Sequence, residues 1–211
     1  MSSPFDVLAE SYETTWSATP EGRGQRGEVW KVIDTLFRPG DRILDLGCGI
    51  GDDALHLREK GVGAYAVDSS QEMVKIACAR GVDAEWRWIE DLTALPGGFS
   101  GALSNFGALN CIQHLEPVAQ QLGRLVVDRG YIALCVMGQF SWRETVRFLL
   151  ERKPTKAARR WQGSAMWRGT VIRYWSSREM RRAFEGEFEF IKRTSIGQGD
   201  HQLYVFRRRV S

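Results

Sequence analysis

The chain has 211 residues, with 29 Lys and Arg against 26 Asp and Glu and a formal net charge of +3. That length can bury a full α/β core without staples, and no apolar run approaches the roughly 18 residues of a membrane span. Four cysteines, Cys48, Cys78, Cys111 and Cys135, are scattered without C-x-x-C spacing, which leaves no metal site or disulfide framework to expect and points to a reducing compartment. The N-terminus lacks the charged-then-apolar run of a secretory signal, so the expectation is a cytoplasmic protein.

In chain order, Phe5, Leu8 and Tyr12 recur at helical spacing and predict an amphipathic helix over residues 4–16. Thr19-Pro20-Glu21 is a start signal for a second helix reaching Phe37, which Pro39-Gly40 stops. Strands and helices then alternate: strand 42–46, helix 52–60, strand 63–67, helix 70–80, strands 84–89 and 100–106, helix 114–127, strand 130–136. That alternation predicts a parallel sheet covered by helices on both faces. Phe188 to Thr194 and Gln202 to Arg207 read as a closing hairpin, with Gly197-Gln198-Gly199-Asp200 between its arms. No repeat or linker divides the chain. It is expected to be one domain over 1–211: an N-terminal helical cover (1–38), a binding core (40–137), an insertion (138–175), and a closing helix and hairpin (176–211).

The most informative segment is Ile43-Leu44-Asp45-Leu46-Gly47-Cys48-Gly49-Ile50-Gly51-Asp52-Asp53. A short buried strand runs into alternate glycines and then into a helix. Glycine permits positive φ and lets a ligand touch bare backbone, and such a turn is how α/β proteins hold nucleotide-like ligands. The spacing is G-x-G-x-G, whereas the dinucleotide fingerprint is G-x-G-x-x-G. Asp45, Asp52 and Asp53 would repel a pyrophosphate but suit a ligand bearing an amino group. Asp68 ends the next apolar run, 21 residues after Gly47, where an acid can accept both hydroxyls of a ribose. Cys48 reads as a small buried filler.

These residues resemble a class I S-adenosylmethionine (SAM)-dependent methyltransferase, and among those the ubiquinone- and menaquinone-biosynthesis-like small-molecule enzymes. The resemblance covers roughly residues 40–137 and implies a Rossmann-like, seven-stranded, mostly parallel sheet with a closing antiparallel hairpin. It implies SAM as cofactor and S-adenosylhomocysteine (SAH) as product. By the same resemblance Asp45, Gly47, Cys48 and Gly49 belong to the amino-acid end of SAM and Asp68 to its ribose, with Gly51 also among the cofactor-binding residues. Ser69 and Met73 pack near adenine, Glu90-Asp91-Leu92 stands at the adenine amine, and Asn105 and Phe106 end the fourth strand beside the sulfonium and substrate. Two other classes stay open: a SAM-binding protein without turnover, and a nucleotide-dependent oxidoreductase.

Methyl transfer from a sulfonium needs alignment, exclusion of water and management of one proton. His114, at the start of the helix after strand four, is a weak candidate base, and Tyr12, Asn110 and Tyr174 are alternative substrate-side groups. No residue stands out as the base. Residues 143–182 hold 12 Arg and Lys against three acids, with Trp161, Trp167 and Trp175 among them and Trp142 just before. One reading is a lid facing an anionic or lipid-like substrate, with peripheral membrane contact. The preferred reading for most of these charges is a solvated basic helix whose tryptophans pack on the sheet. Base methylation is disfavoured because Asn105-Phe106-Gly107-Ala108 has no prolines, and no nucleic-acid partner is expected. Oligomeric state is not legible.

Overall fold

The computed structural model describes residues 3–139, 146, 150–151 and 160–210. Its centre is a seven-stranded sheet in the order β3-β2-β1-β4-β5-β9-β8. The strands are β1 (Arg42–Leu46), β2 (Gly63–Asp68), β3 (Asp83–Trp86), β4 (Phe99–Ser104), β5 (Val126–Met137), β8 (Phe188–Ile196) and β9 (His201–Arg208). Strands β1 to β5 pair in parallel, β9 runs antiparallel to β5, and β8 antiparallel to β9. This is the Rossmann-like class I methyltransferase arrangement with its closing hairpin. A separate antiparallel ribbon joins β6 (Ser164–Trp167) to β7 (Thr170–Arg173). The helices are α1 (Ala9–Tyr12), α2 (Pro20–Ile33), α3 (Asp52–Glu59), α4 (Gln71–Ala79), α5 (Glu116–Leu125) and α6 (Ser177–Phe184).

Strand alternation sorts the side chains into two cores. Leu44, Leu46, Ala102, Ile132, Leu134, Tyr204 and Phe206 pack on one face with Val118 and Leu122 of α5 and Met180 and Phe184 of α6. Their neighbours Ile43, Leu103, Ala133, Cys135 and Leu203 face the other way, against Val29 and Ile33 of α2 and Leu57 of α3. Asp45 is two residues from Ile43 and therefore shares the α2 and α3 face. The strand order reverses between β1 and β4, the switch point at which open α/β sheets bind ligands.

Helix ends follow local chemistry. Thr19 caps α2 by accepting from Gly22 N–H at 3.0 Å, with Pro20 in the first turn. Ser70 caps α4 through Met73 N–H at 3.2 Å, and Ser176 with Glu179 forms a capping box on α6. Several expected bounds shift. The first helix is a 3-10 turn (Asp6–Leu8), then α1, then a π-helical turn (Glu13–Ser17). Helix α2 ends at Ile33, β3 stops at Trp86, and β5 begins at Val126, directly after α5.

The expectation of a basic helix in the insertion is corrected for residues 164–173, which form the β6–β7 hairpin. Its turn carries two positive φ values, 46° at Arg168 and 79° at Gly169, which match the twist of a two-residue hairpin connection. Trp175 is buried in the core, whereas Trp161 and Trp167 are exposed. Arg160 is buried, with its guanidinium donating to the carbonyls of Gly138 (3.3 Å) and Asp200 (2.9 Å) and stacking on Tyr174. Trp142, Arg152, Lys153, Lys156 and Arg159 lie outside the described residues. Among the described residues no helix is long and apolar enough to cross a membrane.

The sheet's tightest position is Gly101 in β4. A Cβ there would stand 2.3 Å from the Tyr131 carbonyl oxygen and 2.8 Å from Phe37 Cε1. Neither backbone nor packed ring can give way cheaply. Gly101→Ala is expected to destabilise the fold by about 1–3 kcal/mol, read as a lower urea midpoint at unchanged slope.

Candidate active site

A cleft of about 1060 Å³, including space open to solvent, lies at the carboxyl ends of β1, β2 and β4. Gly47, Cys48 and Gly49 form its floor, Asp68, Ser69 and Met73 one wall, and Asn105, Phe106 and Gly107 the other. The loop needs its glycines. Gly47 has φ +74°, and a Cβ on it would fall 2.2 Å from Ala108 Cβ; Gly49 has φ +54° and faces the Tyr12 ring. Gly51 turns left-handed ahead of α3, under Val82, and does not line the cleft.

Asp68 organises the loop. Its Oδ2 accepts Gly49 N–H at 2.8 Å and its Oδ1 accepts Ser70 N–H at 2.8 Å. Burial pushes its pKa up, and these backbone donors pull against that rise. Each carboxylate oxygen keeps a second lone-pair direction for a ligand hydroxyl. Asp45 differs. It is 1% exposed, does not line the cleft, and its Oδ2 has no partner among the described residues. Burial, then the charge of Asp53, raise its pKa well above the usual range, while Arg26 opposes them.

Arg26, on α2, is the cation of the cleft. It meets Asp52 at 2.9 Å and Asp53 at 3.8 Å, and its guanidinium lies 4.8 Å from the Phe106 ring centroid. Its Nε is buried without an acceptor among the described residues. Burial pushes Asp52 up, but Arg26, the Ser17 hydroxyl and Arg80 outweigh it and leave it below the ordinary value. Asp53 accepts from the Trp30 indole at 2.6 Å and, through both oxygens, from Asn105 Nδ2 at 3.2 Å. Asn105 Oδ1 in turn accepts Phe106 N–H at 2.9 Å, holding Phe106 at φ +50°, a conformation L-residues adopt at a cost.

The cover reaches the cleft from two directions. Phe5 and Tyr12 come from the N-terminal segment and Thr170 from β7. Phe5 meets the Trp167 ring at 5.4 Å. Tyr12 is pushed up to about 12, chiefly by burial, so its hydroxyl stays a neutral donor.

Other residues singled out in the sequence fall elsewhere. Glu90 lines the cleft, but Asp91 is exposed and accepts from its neighbour Thr93, and Leu92 is in the core with its N–H on Gln121. Of the four substrate-side groups, Tyr12 alone lines the cleft. His114 is exposed ahead of α5. Asn110 is fully buried, its amide donating to the Met137 and Arg173 carbonyls and accepting Met137 N–H. Tyr174 is buried beneath Arg160. Sequence reading missed Arg26, Trp88, Ile89 and Thr170, all of which line the cleft. Nothing in the sequence singles out Arg26 beyond its place in the second predicted helix.

Comparison with known proteins agrees with this fold. A family model described as a methyltransferase domain matches residues 23–187. A demethylmenaquinone methyltransferase of Renibacterium salmoninarum is 30% identical over 135 residues, 58% of this chain and 55% of that protein, so the chain spans about half the length of that curated relative. Among solved structures, the CcbJ methyltransferase of Streptomyces caelestis aligns over 99% of both chains at a TM-score of 0.73 and 14% identity. A SAM-dependent methyltransferase of Thermotoga maritima, described as a possible histamine N-methyltransferase, covers 98% of this chain and 99% of its own at 0.71 and 18%. With its Rossmann-like sheet, its glycine loop and a family match over most of its length, the chain belongs to the SAM-dependent methyltransferases, and its cofactor is SAM.

Proposed function

We propose that the protein transfers the methyl group of SAM to a small-molecule acceptor held under the cover of Phe5, Tyr12 and the β6–β7 hairpin. One observation carries the reading. Among the described residues Arg26, which lines the cleft, keeps a buried donor without an acceptor at Nε, and Asp45, two residues before the cleft residue Gly47 though not itself in the cleft lining, keeps a buried acceptor without a donor at Oδ2. An amino-acid zwitterion supplies what both lack, an ammonium for Asp45 and a carboxylate for Arg26. A buried unsatisfied group costs about 1–3 kcal/mol, so filling both favours the bound state. A pyrophosphate would satisfy Arg26 but repel Asp45, Asp52 and Asp53, which argues against the nucleotide-dependent oxidoreductase.

The sulfonium supplies an activated methyl group. What the chain supplies is position and dryness: Asp68 and the glycine loop hold the ribose end, and Met73 and Ile89 offer apolar contact for the base. Phe106, fixed by Asn105 and Asp53, walls the acceptor side. Tyr12, the neutral hydroxyl of the cleft, is a donor for the acceptor or the cofactor carboxylate. Glu90 is the adenine-side acid, and Asp91, His114, Asn110 and Tyr174 take no part in this mechanism. The acceptor is anionic or lipid-like in the reading developed below, and a cytoplasmic location fits a chain of this composition.

SAH at a hundred times its dissociation constant is expected to stabilise the fold by about 2.7 kcal/mol, visible as a raised melting temperature. NAD should give no shift; a larger shift with NAD would return the oxidoreductase.

Asp45→Asn separates binding from stability. In the free protein Asp45 holds its proton above the ordinary carboxylate value of about 3.9, so between that value and its raised pKa the folded state binds more protons than the unfolded. Stability conferred by this group therefore falls as pH rises through that window. Asp45→Asn is expected to flatten this fall and melt higher at neutral pH, yet bind SAH about ten-fold or more weaker, for loss of a charge-assisted bond. Calorimetric titration and melting curves across pH read both; unchanged SAH affinity would remove Asp45 from the site.

A further inference from the structure

We infer that the β6–β7 hairpin docks on an anionic lipid surface and so presents the cleft mouth to an acceptor dissolved in that surface. The inference rests on the proposed methyl transfer for what the cleft does, but not for where the molecule sits. Twelve large apolar side chains are conspicuously exposed among the described residues, and six of them, Val7, Trp86, Trp88, Met166, Trp167 and Val171, belong to segments around the cleft mouth. Trp88 lines the cleft itself, as does Thr170, the cross-strand partner of Trp167. Trp86 donates its indole N–H to the carbonyl of Ser69, a cleft residue, and Val7 follows Asp6, whose carboxylate accepts from the Ser70 hydroxyl. Half of these exposed apolar side chains among the described residues thus stand on segments that reach the cleft.

The hairpin has two faces by strand alternation. One carries Trp167 and Thr170, turned to Phe5 and the cleft. The other carries the cross-strand pair Met166 and Val171, 67% and 36% exposed. Arg168 stands at the tip, its guanidinium 5.5 Å from the Trp167 ring centroid. Such a unit, with aliphatic side chains, an indole with a polar edge and a cation on the rim, suits the headgroup boundary of a bilayer.

Charge chooses the occupant. From Ser164 to Arg173 the hairpin has two arginines, Arg168 and Arg173, and no carboxylate. Within the hairpin Arg173 is committed to Glu179 and the Gln113 carbonyl, whereas Arg168 is exposed at the tip. An anionic leaflet attracts such a segment. A second copy of the chain meeting it across a twofold axis would set Arg168 against Arg168.

The test is co-sedimentation of the SAH-bound protein with phosphatidylcholine vesicles, with and without phosphatidylglycerol. The protein should pellet with the anionic vesicles, much less with the neutral ones, and less as salt rises. Arg168→Glu should weaken this by about five-fold or more, the effect of at least one interfacial charge, and Met166→Ser with Val171→Ser by about ten-fold, for the lost apolar insertion. Both variants should keep the wild-type SAH-induced melting shift, since none of the three residues lines the cleft. Failure to pellet with anionic vesicles, or pelleting that neither variant reduces, overturns the proposal. So does light scattering that shows a dimer which the double variant dissolves, or retention on RNA in place of lipid. Vesicle binding without any SAH shift would leave the docking surface standing and sink the methyl-transfer reading; the reverse result sinks the docking surface alone.

Discussion

Four carboxylates, Asp45, Asp52, Asp53 and Asp68, crowd the carboxyl ends of β1 and β2 around the single guanidinium that reaches them from α2. Burying charge is expensive unless it is paired, and the arrangement divides its acids by how completely each is paired. Asp52 has two arginines and stays low in pKa. Asp53 is absorbed by Trp30 and Asn105, and Asp68 by two backbone N–H groups. Asp45 is left with an unpaired oxygen. Two polar atoms of this cluster, Asp45 Oδ2 and Arg26 Nε, therefore stay unsatisfied among the described residues, and in the proposed function these are the places a zwitterionic ligand would complete.

The same acids tie the cover to the core. Arg26 belongs to α2, whose Val29 and Ile33 pack on the sheet, so the cation is placed by apolar burial and not by its own flexible stem. Through Asp53 and Asn105 the charge cluster also sets the backbone of Phe106 in a left-handed conformation. Backbone strain of this kind persists where surrounding contacts over-determine it. Here the ring is held by Arg26 over its face and by Trp16 and His201 edge-on. His201, pushed down to about 4 chiefly by burial and also by Arg160, meets that ring as a neutral imidazole.

What could be read from sequence follows from which forces are local. Strand β2 announces itself by a continuous apolar run, and Thr19-Pro20 by its start signal, because both signals depend on neighbours in the chain. The place of the glycine loop and Asp68 at the cleft was legible for the same reason. Arg26 was not, since its partners Asp52 and Asp53 lie on another helix. Asn110 resembled a substrate-side group, but its amide is spent clamping β5 to β7, a contact between segments 27 and 63 residues away. Asp91 and Leu92 sit at the right distance along the chain, yet β3 ends at Trp86, and the turn that follows carries one out to solvent and the other into the core. The hairpin was hidden under charge composition, which reports on solubility and partners and says nothing about backbone conformation.

This division has a consequence for specificity. The groups that would meet the cofactor in the proposed function come from strand ends and helix starts beside two large apolar cores, so their geometry is inherited from the fold. The groups that remain for the acceptor, Phe5, Tyr12, Thr170 and Trp88, come from short helical pieces, a two-stranded ribbon and a loop. The N-terminal segment packs Phe5, Leu8, Ala9 and Tyr12 on Ile50 and Met73, Asp6 accepts from the Ser70 hydroxyl, and Phe5 meets Trp167 of the ribbon. In the proposed function this cover must part from the cleft to admit the acceptor. On that reading the strand-end half of the cleft serves the cofactor, and the cover is where specificity for the acceptor is set.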